Sequence, residues 1–227
     1  MFKAHSLLRY GIFIPLLALI LYTPWSSQID LSLSHQFYQN GQFQSQPYLH
    51  WIYHEGIIPG WILTGSAALG LILSYVYHRR FKQWRKSCIL IVLTLMIGSG
   101  LMVHLVFKDH WGRPRPRQTI EFGGTQTFRA FYEPNIFHQP EPSKSFTCGH
   151  CTMGFVFFSL MLIGMHYRKK SLTVLGLGLA LLLGGLLGYA RLAQGGHFFS
   201  DVVISALIMW WTSLLLYQFF LKHKSGN

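Results

Sequence analysis

The chain has 227 residues, of which 51% are hydrophobic and only 11% are charged. A soluble domain carries roughly 25% charged residues, so this composition excludes an ordinary soluble protein with a core under a charged coat. The formal net charge of +12 does not imply nucleic acid as a partner. The basic residues separate apolar runs and form no aromatic-interleaved patch.

Six apolar runs approach the roughly 20 residues that cross a bilayer. In chain order they cover about Leu7 to Tyr22, Ile57 to Val76, Cys88 to Phe107, Gly149 to Tyr167, Leu172 to Ala190 and Phe199 to Leu221. Lys3 and Arg9 accompany the first run, but no small-residue cleavage site follows, which favours a retained helix over a signal peptide. Residues 24–56 contain no Lys or Arg, and Leu31, Leu33 and Phe37 suggest a short interfacial helix there. Residues 108–148 form a long Pro-containing loop, a length usually reserved for function or mobility. The fifth run carries Gly at 176, 178, 184, 185 and 188, which suits close helix packing in lipid. Cys88 falls in an apolar run and reads as packing. The expected fold is all-α: one polytopic membrane domain over 1–227, with about six transmembrane helices.

Charge assigns the sides. With a cytoplasmic N-terminus, the inner segments hold Lys3, Arg9, Arg79, Arg80, Lys82, Arg85, Lys86, Arg168, Lys169, Lys170, Lys222 and Lys224, and no acid. The other basic residues and every Asp and Glu fall outside. This satisfies the positive-inside rule, and it predicts cytoplasmic termini in a bacterial-type inner membrane.

Three polar clusters then meet at the outer surface. They are Lys108 to Pro116 after the third run, Cys148-Gly149-His150 at the start of the fourth, and Arg191 to Asp201 between the fifth and sixth. Lys108, Arg115 and Arg191 are fixed cations suited to an anion, and Arg can grip phosphate with two parallel hydrogen bonds. Gly149 at a helix N-terminus offers free N–H groups to the same anion. His197 and Asp201, four apart, share a helix face, so the carboxylate can orient the imidazole as a nucleophile. His150 is a second imidazole for proton transfer. Singly, each has a bland explanation: helix-end cations snorkel, a lone His is structural, and an Asp–His pair is a stabilising contact. Together, on one side, they point to phosphoryl transfer.

The order and spacing resemble the type 2 phosphatidic acid phosphatase superfamily of membrane lipid phosphatases. Its first motif is Lys, six residues, Arg-Pro, here Lys108 to Arg115-Pro116. Its second is Pro-Ser-Gly-His, here Thr147-Cys148-Gly149-His150. Its third is Ser-Arg, five residues, His, three residues, Asp, here Ala190-Arg191, His197 and Asp201. The resemblance implies a phosphohistidine at His197, oriented by Asp201, with His150 protonating the leaving group. It implies phosphate contacts from Lys108, Arg115, Arg191, Gly149 and Cys148, with no metal and no cofactor. Thr147, Cys148 and Ala190 depart from the family pattern, and a Cys148 thiol is a weaker donor than Ser.

The partner implied is a phospholipid or glycolipid in the membrane. Lipid A or a similar large glycolipid is the expected substrate, with undecaprenyl diphosphate or phosphatidylglycerol phosphate as alternatives. Arg117, Arg129, Tyr132 and Lys144 in the long loop are candidates to shape a head-group pocket. Two competing readings use the same residues. Cys148-Gly-His-Cys151 has the C-x-x-C spacing of thiol–disulfide oxidoreductases, but no βαβ pattern surrounds it. A transporter would place its charges near the midplane, within inverted repeats, and neither is visible.

Overall fold

The computed structural model describes residues 4–137 and 143–222. Lys3 and Lys224, two of the basic residues assigned to the inner face, lie outside the described residues. Helix α1 (Ala4–Tyr22) runs through a 3₁₀ turn at Thr23–Trp25 into α2 (Ser26–Phe37). A two-stranded hairpin follows, β1 (Tyr38–Gln39) and β2 (Gln42–Phe43). Asn40 and Gly41 at its tip both have positive φ, 52° and 79°, as a type I′ turn demands. Next come α3 (Pro47–Glu55), α4 (Ile58–Val76), α5 (His78–Phe81) and α6 (Arg85–Leu93). Helix α6 continues as a π-helical stretch over Thr94–Lys108. After the long loop come α7 (Gly149–Phe155), α8 (Phe158–His166), α9 (Lys170–Ala193) and α10 (Phe199–Tyr217), the last extended to Lys222.

Among the described residues, six helical segments are long and apolar enough to cross a membrane: Ser6–Phe37, Pro47–Val76, Lys82–Lys108, Gly149–His166, Lys170–Ala193 and Phe199–Lys222. The chain is an all-α multi-pass membrane protein. Phe13, Ile14 and Leu17 on α1 and Leu181 and Leu182 on α9 face outwards. Such exposure is costly in water and costs nothing against acyl chains.

Segment α7–α8 is the central post, with α9 and α10 packed on it. Glycine sets the contact distance. A Cβ on Gly154 would lie 2.2 Å from the Gly184 nitrogen, and one on Gly176 would lie 2.3 Å from the Met161 nitrogen. The backbones therefore touch, which only small residues allow. Gly178 and Gly185 meet nothing within 4 Å, so only part of the glycine pattern of α9 is packing.

The segment 24–56 is more integrated than an interfacial helix. Ser26, Asp30 and Ser34, spaced at four residues, form one buried face of α2. That face packs on α9 and α10, while Leu33 and Phe37 lean on the central apolar cluster. The apolar residues alone conceal this, because the buried stripe is polar.

Gly154→Ala should lower thermal stability in detergent by roughly 1–3 kcal/mol through overpacking. Gly185→Ala, which faces open space, should be neutral or slightly stabilising. Equal effects from the two substitutions would contradict the backbone contact.

Candidate active site

Backbone hydrogen bonds join the three polar clusters before any side chain is considered. Arg117 N–H donates to the Gly195 carbonyl (3.2 Å), Ser145 N–H to the Arg113 carbonyl (2.9 Å), and Cys148 N–H points at the Asp201 carbonyl (3.5 Å). The loop after the third span, the start of α7 and the α9–α10 turn thus form one surface.

The α9–α10 turn is set by its glycines. Gly195 has φ +59°, the left-handed conformation that ends many helices. Gly195 N–H donates to the Leu192 carbonyl (2.9 Å) and Gly196 N–H to the Arg191 carbonyl (2.9 Å), the two bonds of a Schellman cap. A Cβ on Gly196 would lie 2.1 Å from Arg191 Nη2. Gly196 therefore leaves the space that the Arg191 guanidinium fills. His197 leaves this cap, and Phe198 begins α10.

Asp201 closes the first turn of α10. Its Oδ2 accepts from Phe198 N–H (2.9 Å) and from Ser145 Oγ–H (2.6 Å), and its Oδ1 accepts from Arg113 Nη1. His197 Nδ1 lies 3.6 Å from Oδ2. That is an electrostatic contact but longer than a hydrogen bond, and Nδ1 has no other hydrogen-bond partner. His197 is 2% exposed. Burial pushes its pKa down to about 4; the Asp201 carboxylate opposes the shift, and Arg191 and Lys108 add to it. The ring is therefore neutral near pH 7 and available as a nucleophile.

Behind Asp201 stands Arg113, which has no solvent exposure. Its Nε donates to the Arg129 carbonyl (2.9 Å), Nη1 to Ser200 Oγ (2.8 Å) and to Asp201, and Nη2 to Asp30 Oδ2 (2.8 Å). Asp30 in turn accepts from Ser200 N–H (2.8 Å) and Ser200 Oγ–H. Burial disfavours the guanidinium charge, but Asp201 and Asp30 outweigh it and raise its pKa above the ordinary value.

Lys108 and Arg191 act on His197 as nearby cations, Arg115 acts in turn on Lys108 and Arg191, and none of the three has a carboxylate partner among the described residues. Burial, then the neighbouring Arg117, pushes the Arg115 pKa below its ordinary value. Arg115 Nε, Arg191 Nε and Thr147 Oγ1 are buried without hydrogen-bond partners. Such orphan donors are costly in a protein, and an anion among them would satisfy them. Gly149 opens α7, pressed against the His104 ring. His150 follows, with its ring stacked on Tyr53 at 4.1 Å, and Arg191 lies over that Tyr53 ring at 4.8 Å.

The expectation for Cys148 needs correction. Cys148 and Cys151 form a disulfide that brackets Gly149 and His150. Cys148 has no S–H to offer a phosphate, and its backbone N–H points at the Asp201 carbonyl. Both cysteines have no solvent exposure, which leaves no access for the sulfur attack that thiol–disulfide exchange requires. The loop residues also differ from expectation. Arg117 lines a pocket with Arg191, whereas Arg129 contributes its carbonyl, Lys144 pairs with Asp109 (3.1 Å) and Tyr132 is exposed. Among the described residues, no group of three or more His, Cys, Asp or Glu side chains is arranged to hold a metal ion.

The sequence pattern misses Arg113, Asp30, Ser145 and Ser200. Asp30 alone left a trace, as an acid in an otherwise apolar and neutral stretch. Arg113-Pro114 stands beside the motif Arg115-Pro116 and was overshadowed by it.

Six spans with paired imidazoles, a buried carboxylate and converging cations at one end define a membrane enzyme of phosphoryl transfer. The PAP2 superfamily profile matches residues 89–225, more than half of the chain, and the chain belongs to that superfamily. It is 32% identical over 204 residues to a lipid A 4'-phosphatase of Francisella tularensis subsp. novicida, covering 86% of this chain and 88% of that protein. A lipid A 4'-phosphatase of Rhizobium leguminosarum is 34% identical over 124 residues, 55% of this chain and 49% of that protein. One of Rhizobium etli is 32% identical over 123 residues, 54% of this chain and 44% of that protein. No solved structure matches the chain.

Arg113→Met should leave two buried carboxylates without their cation and cost about 3–5 kcal/mol of stability, read as a lower unfolding temperature in detergent. The pH dependence has a defined sign. The folded state keeps His197 neutral down to about pH 4, whereas an unfolded chain takes that proton near pH 6.5, a value typical of His. The unfolded state binds the extra proton in that window, so stability falls as pH falls from about 6.5 to 4. His197→Gln should flatten this part of the curve and leave the curve above pH 6.5 unchanged in slope.

Proposed function

We propose that the protein hydrolyses a phosphate monoester on lipid A, or on a closely similar glycolipid, through a phosphohistidine at His197. The observation that carries this is the neutral, buried His197 held between Asp201 at its Nδ1 side and the cations Lys108 and Arg191. The three relatives described above, all named lipid A 4'-phosphatases, support the substrate.

The chemistry follows from the placement. The phosphoryl oxygens lie among Lys108, Arg115, Arg191 and the Gly149 N–H, where preorganised donors stabilise developing charge. His197 Nε2 attacks phosphorus, and the bond from phosphorus to the sugar oxygen breaks. Burial, then Arg191 and Lys108, disfavour charge on His150, so the free ring is neutral; it takes up a proton as the phosphate anion binds beside it and gives that proton to the sugar oxygen. The phosphohistidine retains Nδ1–H, and Asp201 neutralises the positive ring. Water then attacks phosphorus and yields its proton to His150. The phosphorus–nitrogen bond breaks, and phosphate leaves with His197 neutral again. No step requires a metal.

The site-bearing ends of the spans face the periplasm, and both termini face the cytoplasm. The charge distribution supports this orientation, since every Asp and Glu falls on the site's side of the membrane and the Arg168–Lys170 cluster falls on the other.

In detergent with chelator present, the wild type should release phosphate from lipid A, and His197→Ala should release none. His150→Ala should lose ~10²–10⁴ of the rate on the glycolipid, and much less on p-nitrophenyl phosphate, whose leaving group needs no proton. Preferential release from undecaprenyl diphosphate or phosphatidylglycerol phosphate would replace lipid A as the substrate. Loss of activity with chelator would sink the metal-free mechanism.

A further inference from the structure

Two chambers lie near the site, one lined by His150 and the other by Tyr53, whose ring stacks on His150. One is an apolar cavity of about 480 Å³ between α4, the π-helical stretch and α7, walled by Ile57, Trp61, Leu95, Met96 and Met153 and reaching Gly149 and His150. The other, of about 280 Å³, is polar and lies on the far side of Tyr53, bounded by β2, the following turn and α3. Its lining includes Arg117, Arg191, His50, His54, Gln44 and Gln194, and no Asp or Glu. Arg117 has no ion-pair partner among the described residues. The Gln44 backbone anchors this wall, donating its N–H to the Ala193 carbonyl at 3.0 Å.

We infer that this second chamber is a head-group subsite for a sugar that carries a second anionic group, a phosphate above all. The inference rests on the glycolipid reading of the active site, which it deepens. Tyr53 supplies the geometric link. Its ring stacks on His150 and lies under Arg191, and it lines the polar chamber. His150 serves the leaving oxygen, so the group attached to that oxygen emerges beside Tyr53. Acyl chains enter the apolar chamber, where burial of CH₂ groups is favourable. The hydroxyl-bearing ring enters the polar one, where Gln44 offers both donor and acceptor and Gln194, whose Oε1 accepts from Arg191 Nη1 (2.8 Å), offers its amide N–H. Arg117 takes the second anion, because a guanidinium matches phosphate with two parallel hydrogen bonds. The β2–α3 wall lies before residue 89, outside the segment that matches the superfamily. Arg117, Arg191 and Gln194 lie within that segment, so the chamber joins a wall from outside it to residues from inside it.

The test is competition with soluble probes. Phosphate release from lipid A is measured against deacylated, bisphosphorylated glucosamine disaccharide and, separately, against inorganic phosphate. Arg117→Ala should weaken the disaccharide as an inhibitor by about tenfold, and Gln44→Ala by less, with inhibition by inorganic phosphate unchanged. Arg117→Lys should restore part of the loss, and the unchanged phosphate inhibition reports an intact site. Disaccharide inhibition equal in wild type and both Ala variants would overturn the subsite, and so would parallel weakening of both probes. If lipid A is not turned over, the same competition is run on phosphatidic acid. The substrate assignment then fails on its own, and disaccharide inhibition sensitive to Arg117 still supports the subsite, whereas its absence refutes it.

Discussion

A guanidinium with no solvent exposure persists only if its donors meet acceptors and its charge meets a counter-charge. Arg113 meets both conditions with Asp30 of α2, Asp201 and Ser200 of α10, and the Arg129 carbonyl. One side chain thereby ties together the first span, the loop after the third span and the last span. Asp201 is the shared element, since the same carboxylate caps α10 and faces His197. The position of His197 therefore depends on a salt bridge that Asp201 shares with Arg113.

The remainder of the site is made from helix ends. Helix α9 ends in a glycine cap that leaves room for Arg191 and aims the chain at His197. Helix α7 begins at Gly149, with the disulfide closing its first turn around His150. Helix α10 begins under Asp201. Lys108 ends the π-helical stretch. Helix ends carry unpaired N–H and C=O groups that must find partners, and at a membrane surface they meet both water and head groups. A phosphate-handling site assembled there can admit a lipid whose chains never leave the apolar phase. The glycine contacts between α7–α8 and α9 fix the distance between these ends, because touching backbones leave no slack.

Electrostatics divides the site into two faces. Asp201 faces His197 Nδ1, while Arg191 and Lys108 act on the ring as like charges that disfavour its protonation. Burial keeps the ring neutral at working pH, which is the state a nitrogen nucleophile needs. The two chambers repeat the division at larger scale, with the one reaching His150 apolar and the other lined by Arg, His and amide side chains.

Much of this was legible in the sequence. Hydropathy located all six spans, because a bilayer crossing demands about 20 apolar residues whatever they pack against. The pair Lys108 and Arg115 and the trio Arg191, His197 and Asp201 were each legible as a polar cluster, because residues close in sequence at a helix end stay close in space. The network behind them was not legible. Asp30 and Ser200 are separated by 170 residues, Arg113 and Asp201 by 88, and Ser145 and Asp201 by 56, and no local period connects such positions. The disulfide was readable only as a C-x-x-C spacing, and the wall of the polar chamber only as a stretch without Lys or Arg. The sequence by itself determined the membrane fold and the candidate reacting groups, since both follow from local hydropathy and short spacings. The tertiary structure alone decided which buried charge neutralises which, and which side chains line the two chambers, since these depend on contacts between helices far apart in the chain.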